Sequence, residues 1–138
     1  TKPAERWITL QFASPTAFKS GGMGQPLPLP ELVFGSLLNR WNAYAPIQFP
    51  VEARRFASEC LAISRFQLSS LPAAMKNNGL RVGAVGRVTY VALKADRYWM
   101  GVMQTLAAFA RYGGVGAATT AGMGQVREWV GEPVAREA

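Results

Sequence analysis

The sequence predicts an α+β domain in which a four-stranded antiparallel sheet carries two helices on one face. Three patterns predict it. Apolar and polar residues alternate over 6–13, apolar residues recur at helical spacing in two separate segments, and the order reads strand, helix, strand, strand, helix, strand. At 138 residues the chain is one domain with room for a core. Its 49% apolar and 17% charged content excludes a disordered polyelectrolyte.

Ile8, Leu10 and Phe12 point one way in the first strand, and Thr9 and Gln11 the other. Ser14-Pro15 ends the regular ladder. Lys19 to Pro30 reads as a loop, because Gly21, Gly22 and Gly24 precede prolines at 26, 28 and 30. Pro30 suits the first turn of a helix and Glu31 complements its dipole. That helix carries Phe34, Leu37, Leu38 and Trp41 along one face to about Tyr44, and Pro46 closes it. Val51 to Phe56 reads as a loop or a short edge strand.

A strand over 60–70 has Leu61 and Ile63 in one phase but Phe66 and Leu68 in the other, so a bulge near Ser64 is needed to unite them. Pro72 to Gly79 is a turn with Lys76 near its tip and Asn78-Gly79 as its signal. A long strand over 81–93 puts Val82, Ala84, Val88 and Tyr90 on one face, and Arg81, Val85, Arg87 and Thr89 on the other. Gly83 and Gly86 within it mark a bulge or a close backbone approach. Asp96 caps a helix over 97–112, whose Trp99, Val102, Met103, Leu106, Phe109 and Ala110 form a core stripe. Gln125 to Val130 reads as the last strand, and a frayed tail follows from Gly131. The order is that of the ferredoxin-like βαββαβ fold, as in RRM-type domains. Its second sheet face is free, and Arg81, Arg87 and Thr89 are expected there.

The net charge of +7 is unevenly spread. Between Cys60 and Arg127 stand eight basic residues and one acid, Asp96. Such a segment attracts polyanions, of which nucleic acid is the commonest. No histidine is present, which removes the commonest general acid–base, the commonest metal ligand and every histidine-containing triad. The lone Cys60 allows no internal disulfide and fits a cytoplasmic protein. No apolar run reaches the ~18 residues of a membrane span and no signal peptide is visible. The chain begins at Thr1, so residues upstream of it are expected.

Gly113-Gly-Val-Gly-Ala-Ala-Thr-Thr-Ala-Gly-Met-Gly124 follows the second helix and holds five of the fourteen glycines. One reading is a helix C-cap and a long turn into the last strand. The other is a concavity of backbone N–H groups facing an anion, aided by the hydroxyls of Thr119 and Thr120.

Four stretches together resemble the C-terminal half of the CRISPR-associated endoribonucleases that cut repeat RNA into guide units, members of the RAMP superfamily. They are Phe12-Ala-Ser-Pro-Thr-Ala-Phe-Lys19, the helix Val33-Phe-Gly-Ser-Leu-Leu-Asn-Arg-Trp41, Gly83-Ala-Val-Gly-Arg-Val-Thr-Tyr90, and Phe109-Ala-Arg-Tyr-Gly-Gly-Val-Gly116 running on to Gly122-Met-Gly-Gln125. The resemblance covers about Trp7 to Trp129. It implies a two-domain protein, with 1–138 as the C-terminal ferredoxin-like domain and RNA held in or beside the cleft between the halves. It also implies metal-independent cleavage of precursor CRISPR RNA within its repeats, by attack of a ribose 2′-OH on the adjacent phosphate. The family's catalytic histidine lies in the N-terminal domain. Many family loops carry Lys or Arg where this one has Ala117 and Ala118.

On this reading the chain itself carries no catalytic residue, metal or cofactor, and alone it is inactive. Its RNA-binding set is Lys19, Lys76, Arg81, Arg87, Gly113, Gly114, Gly116, Thr119, Thr120, Gly122 and Gly124. Arg54 and Arg55 are left open, Arg40 reads as solvated, and Cys60 and Tyr112 read as packing residues. The implied partners are CRISPR repeat RNA, the chain's own N-terminal domain and other CRISPR-associated proteins, with no membrane. Two alternatives stand beside this: a non-cleaving RNA-binding RAMP subunit of a guide-RNA complex, and a domain whose glycine loop binds a small phosphorylated ligand or a protein.

Overall fold

Alternation in the first apolar segment produces strand β1 (Trp7–Thr16) in the computed structural model, which describes residues 6–20, 23–74, 80–94, 96–117, 119 and 122–129. Ile8, Leu10 and Phe12 are buried. The same period brings Val88 and Tyr90 of β5 (Leu80–Ala92) opposite them, in the antiparallel pairs Leu10↔Val88 and Ile8↔Tyr90. The other edge of β1 takes β6 (Val126–Glu128), and β5 takes β4 (Leu61–Ala74). The resulting order, β4-β5-β1-β6, is the antiparallel sheet of the ferredoxin-like fold.

Two long helices cover the face carrying Ile8, Leu10, Val88 and Tyr90. In α1 (Pro30–Tyr44), Val33, Phe34, Leu37 and Leu38 are buried; in α3 (Arg97–Gly113), Met100, Met103, Leu106 and Ala110 are. All belong to one apolar core with the sheet residues. Phe34 meets Tyr90 edge-to-face at 5.4 Å, and the fully buried Tyr90 hydroxyl donates to Pro28 O at 2.7 Å, so the phenol leaves no unpaired polar atom. Pro30 stands in the first turn of α1 and Glu31 beside it. Asp96 caps α3 as expected, its carboxylate accepting from Trp99 N at 3.0 Å.

The bulge expected near Ser64 is present, as a register shift between Ile63 and Arg65. It restores phase: Leu61, Ile63, Phe66 and Leu68 pair with Ala92, Tyr90, Val88 and Gly86, the even-numbered set of β5. Both glycines of β5 mark close approaches. A Cβ on Gly83 would lie 2.6 Å from Thr16 N, and one on Gly86 would lie 1.9 Å from Gln67 O. Gly86 also has φ 128°, open to glycine and strained for other residues.

Several boundaries differ. Residues 52–60 form a helix, α2 (Glu52–Cys60), rather than a loop or edge strand. Its buried Ala53, Phe56 and Ala57 sit at i, i+3 and i+4, a stripe built mostly of small residues and hence weak on a hydrophobicity reading. Part of the expected 19–30 loop pairs as a short hairpin, β2 (Phe18–Ser20) with β3 (Met23–Gln25). β4 extends past residue 70, β6 is shorter than 125–130, and β1 continues through Ser14-Pro15 after its regular ladder with β5 breaks beyond Phe12.

Val82 does not join the core. It is 49% exposed and lies beyond Ala84, the last residue of β5 that pairs with β1. The expected turn tip with Lys76 and Asn78-Gly79, and the expected tail from Gly131, lie outside the described residues.

Phe34 is the largest fully buried helix side chain among the described residues. Phe34→Ala is expected to destabilise the domain by about 3–5 kcal/mol, read as a lower urea midpoint at unchanged m-value.

Candidate nucleic-acid interface

The glycine-rich segment leaves α3 through a left-handed turn. Gly114 has φ 72° and its N–H closes the helix on Ala110 O at 2.9 Å. Positive φ returns at Gly116, Gly122 and Gly124. A Cβ on Gly116 would lie 2.3 Å from Ala17 O, and one on Gly124 would lie 2.0 Å from Val115 O. The loop therefore needs glycine both for its dihedrals and for the closeness of its neighbours.

Its main-chain donors turn inward. Val115 N donates to Gly124 O at 2.9 Å, Ala117 N to Ala17 O at 2.8 Å, Gly122 N to Thr119 O at 3.2 Å and Gly124 N to Pro15 O at 3.0 Å. Gly116 N donates to Ser36 Oγ at 3.0 Å, and Gln125 N to Ser14 Oγ at 2.9 Å. These N–H groups pin the loop to α1 and to the end of β1. Thr120 lies outside the described residues.

The carbonyls are held by a residue that the sequence left on a solvated face. Arg40 of α1 donates from one terminal nitrogen to Gly113 O at 2.7 Å and from the other to Gly116 O. It is partly buried, and desolvation pushes its pKa below the ordinary guanidinium value, against an opposing charge effect from Tyr44. A signal for this was present. Ser36 and Arg40 are one helical turn apart, so a loop crossing that face meets a hydroxyl and a guanidinium together.

Beside the loop lies an open groove of about 650 Å³. Lys19, Arg40, Arg54 and Arg81 line it with a single carboxylate, Glu31, and Gly116 and Ala117 form part of its wall. Arg54 reaches it across Gly35, where an added Cβ would lie 3.1 Å from Arg54 Nε. Arg55 instead pairs with Glu59 on the solvent side of α2 at 2.9 Å. The structure thus gathers Lys19 and Arg81 of the expected set with Arg40 and Arg54.

A second groove, of about 690 Å³, borders the loop at Gly113, Gly114, Thr119 and Gly124. Arg111, Tyr112 and Arg127 also line it. Tyr112 is 78% exposed, so it is not the packing residue its place at the helix end implied.

Arg87 does not join Arg81. It lies on the sheet face opposite the helices, its guanidinium 3.5 Å from the centre of the Trp129 ring. The positive φ of Gly86 falls between the two arginines. On Arg87's face Thr89 is buried, its hydroxyl 2.8 Å from that of Thr9. Arg127 donates to Gln11 Oε1 at 3.3 and 3.2 Å. That face is therefore partly covered by its own side chains. No group of three His, Cys, Asp or Glu side chains able to hold a metal occurs among the described residues, and none of their helices is long and apolar enough to cross a membrane.

The family model described as CRISPR-associated endoribonuclease Cas6 matches residues 10–126. A CRISPR-associated endoribonuclease Cas6 of Mycobacterium tuberculosis is 30% identical over 129 residues, an overlap covering 91% of this chain and 40% of the relative. Among solved structures, a Cas6 product complex matches with TM-score 0.85 and 35% identity, covering 94% of this chain and 54% of that one. Thermus thermophilus Cas6 matches with TM-score 0.84 and 29% identity, covering 92% and 55%. The chain spans about half the length of these relatives.

Two glycines separate loop geometry from general glycine effects. Gly116→Ala is expected to destabilise by about 1–3 kcal/mol or more, through strain at positive φ and the approach of Ala17 O. Gly101→Ala, inside α3 with open space around it, is expected to stabilise by about 0.5–1 kcal/mol. Urea unfolding of the two variants measures both.

Proposed function

Because the chain belongs to the family of CRISPR-associated endoribonuclease Cas6, we propose that it is the RNA-gripping C-terminal half of an enzyme that cleaves precursor CRISPR RNA within its repeats. The observation that carries this reading is the groove beside the glycine loop, where four cationic side chains face one carboxylate. A phosphodiester backbone supplies the anions such a groove lacks, and guanidinium groups match phosphate oxygens geometrically.

The cleavage proposed needs no nucleophile from the protein. The ribose 2′-OH attacks the adjacent phosphorus, a P–O bond forms, and the bond to the 5′ oxygen of the next nucleotide breaks. The products are a 2′,3′-cyclic phosphate and a 5′-OH. Aligning the 2′-OH with the scissile phosphate and stabilising the added negative charge are the tasks left to the protein. Lys19, Arg40, Arg54 and Arg81 serve the second in this reading, without a divalent metal. Lys76, Thr119, Thr120 and Arg87 extend the contact along the RNA, and Gly113, Gly114, Gly116, Gly122 and Gly124 shape the wall it follows.

Proton transfer falls to the other half of the protein, since this sequence contains no histidine. A general acid–base group typically contributes about 10²–10⁴-fold. Beyond repeat RNA, the proposed partners are the chain's own N-terminal ferredoxin-like domain and other CRISPR-associated proteins, in the cytoplasm.

Charge reversal by Arg81→Glu in the full-length protein is expected to weaken repeat-RNA binding and to lower the slope of log K against log salt by about 0.7–0.9, the share of one phosphate contact. Arg87→Glu makes the same test for the opposite sheet face. Unchanged affinity and slope in filter-binding titrations would remove the altered residue from the interface. In EDTA, the full-length protein is expected to cut labelled repeat RNA at one position, whereas the 138-residue chain alone leaves it intact.

A further inference from the structure

Arg40 has a place in the fold that electrostatics alone does not explain. Its two terminal nitrogens reach the carbonyls of Gly113 and Gly116, on either side of the left-handed turn that ends α3. One helical turn earlier, Ser36 accepts the N–H of Gly116. One face of α1 therefore holds the Gly116 residue by both its N–H and its carbonyl. Among the described residues no carboxylate pairs with Arg40, although it is partly buried.

From this we infer that Arg40 is a positioning residue of the RNA site: its planar fork brackets the glycine loop and sets the wall of the groove, and RNA phosphate supplies its missing counter-charge. The inference rests on the RNA reading above and goes beyond it, because it assigns the loop's shape to a side chain of α1. A guanidinium is suited to the task and an ammonium is not. Two carbonyls three residues apart are spanned by a rigid planar donor pair, while a lysine offers a compact point charge on a flexible stem. Charge and fork are therefore separable by substitution.

The bracket also couples the two sides of the groove. Gly116 and Ala117 belong to its wall, and Ala117 N is tied to Ala17 O, next to the Lys19 strand. If the fork is lost, the carbonyls of Gly113 and Gly116 lose their partner and Ser36 alone holds the loop on the α1 side. A phosphate beside Arg40 stabilises the charged guanidinium, and with it the bracket, so RNA binding tightens the loop.

The test uses the full-length protein with Arg40→Lys and Arg40→Gln, and Ser36→Ala as a milder change to the same loop should Arg40→Gln fail to fold. Hydrogen exchange without RNA comes first. Amides of Val115 to Ala117 should exchange about tenfold faster or more in both Arg40 variants, while α3 core amides keep their protection. In RNA titrations Arg40→Lys should keep the salt slope of the unaltered protein, whereas Arg40→Gln lowers it by about 0.7–0.9. Single-turnover cleavage at saturating protein should fall about tenfold or more in Arg40→Lys, as expected for lost alignment at retained charge.

Full cleavage and full loop protection in Arg40→Lys would overturn the bracket and leave Arg40 a plain charge. Unchanged protection in Arg40→Gln, or in Ser36→Ala where that variant replaces it, would overturn it too. Failure of the unaltered protein to bind or cut repeat RNA would sink the functional reading, while the exchange comparison still decides whether the bracket exists.

Discussion

The contact on which the site depends is the passage of Gly116 and Ala117 against Ala17. There the backbone leaving α3 comes so near the backbone leaving β1 that a Cβ on Gly116 would lie 2.3 Å from Ala17 O. Once two main chains are that close, several features follow. The crossing residue has no side chain, and its φ of 80° is one that glycine adopts without strain. The neighbouring N–H groups find acceptors inside the protein, Ala117 N on Ala17 O and Gly116 N on Ser36 Oγ. The crossing also brings the loop onto the polar side of α1, where Ser36 and Arg40 stand. The groove wall is thus a consequence of how the second βαβ half returns to the sheet.

Much of this was legible in the sequence where a local rule matched the tertiary demand. The phase conflict between Leu61 and Phe66 called for one extra residue, and the register shift at Ser64 supplies it; Leu61, Ile63 and Leu68 thereby all meet the core, although Phe66 itself stays 64% exposed. Asp96 needed only its own side chain and the first turn of α3 to declare itself. Where tertiary context overrides the local signal, the reading failed. Ala53 and Ala57 are weak markers of a helix face, and only packing against the core, with Phe56 stacked near Trp99 at 6.2 Å, shows why α2 forms. Val82 has the core phase by strict alternation from Val88 and Tyr90, yet it is 49% exposed.

The site divides along the same line. Clustered positive charge was visible as composition, since it needs only the scarcity of acids between Cys60 and Arg127. Which cations share a groove was not. Arg81 and Arg87 are six positions apart in one strand and read as neighbours on one face, yet one lines the groove and the other stacks on Trp129. Strict alternation assumes regular strand dihedrals throughout, and Gly86, with φ 128°, lies between the two arginines. Arg40 and Arg54 come from two helices whose mutual packing cannot be read from either alone. The glycine of α1 that lets Arg54 approach, Gly35, is noticed only when that neighbour is known.

The division of labour within the loop bears on how such a site holds a polyanion. Glycine-rich turns that cradle phosphates do so with outward-facing N–H groups, but at Val115, Gly116, Ala117, Gly122 and Gly124 these groups are bonded within the chain. The attraction for phosphate then resides in side chains arranged around the loop. Side-chain cations on α1, α2, β2 and β5 are brought together by elements that the loop fastens to one another, so its glycines act on affinity through geometry. A lysine or arginine at Ala117 would add charge at the wall. The inward amides, however, would still fix where that charge could sit, in a groove that already holds Lys19, Arg40, Arg54 and Arg81. An alanine there adds no like charge to the wall, and the fork of Arg40 stays on the carbonyls of Gly113 and Gly116.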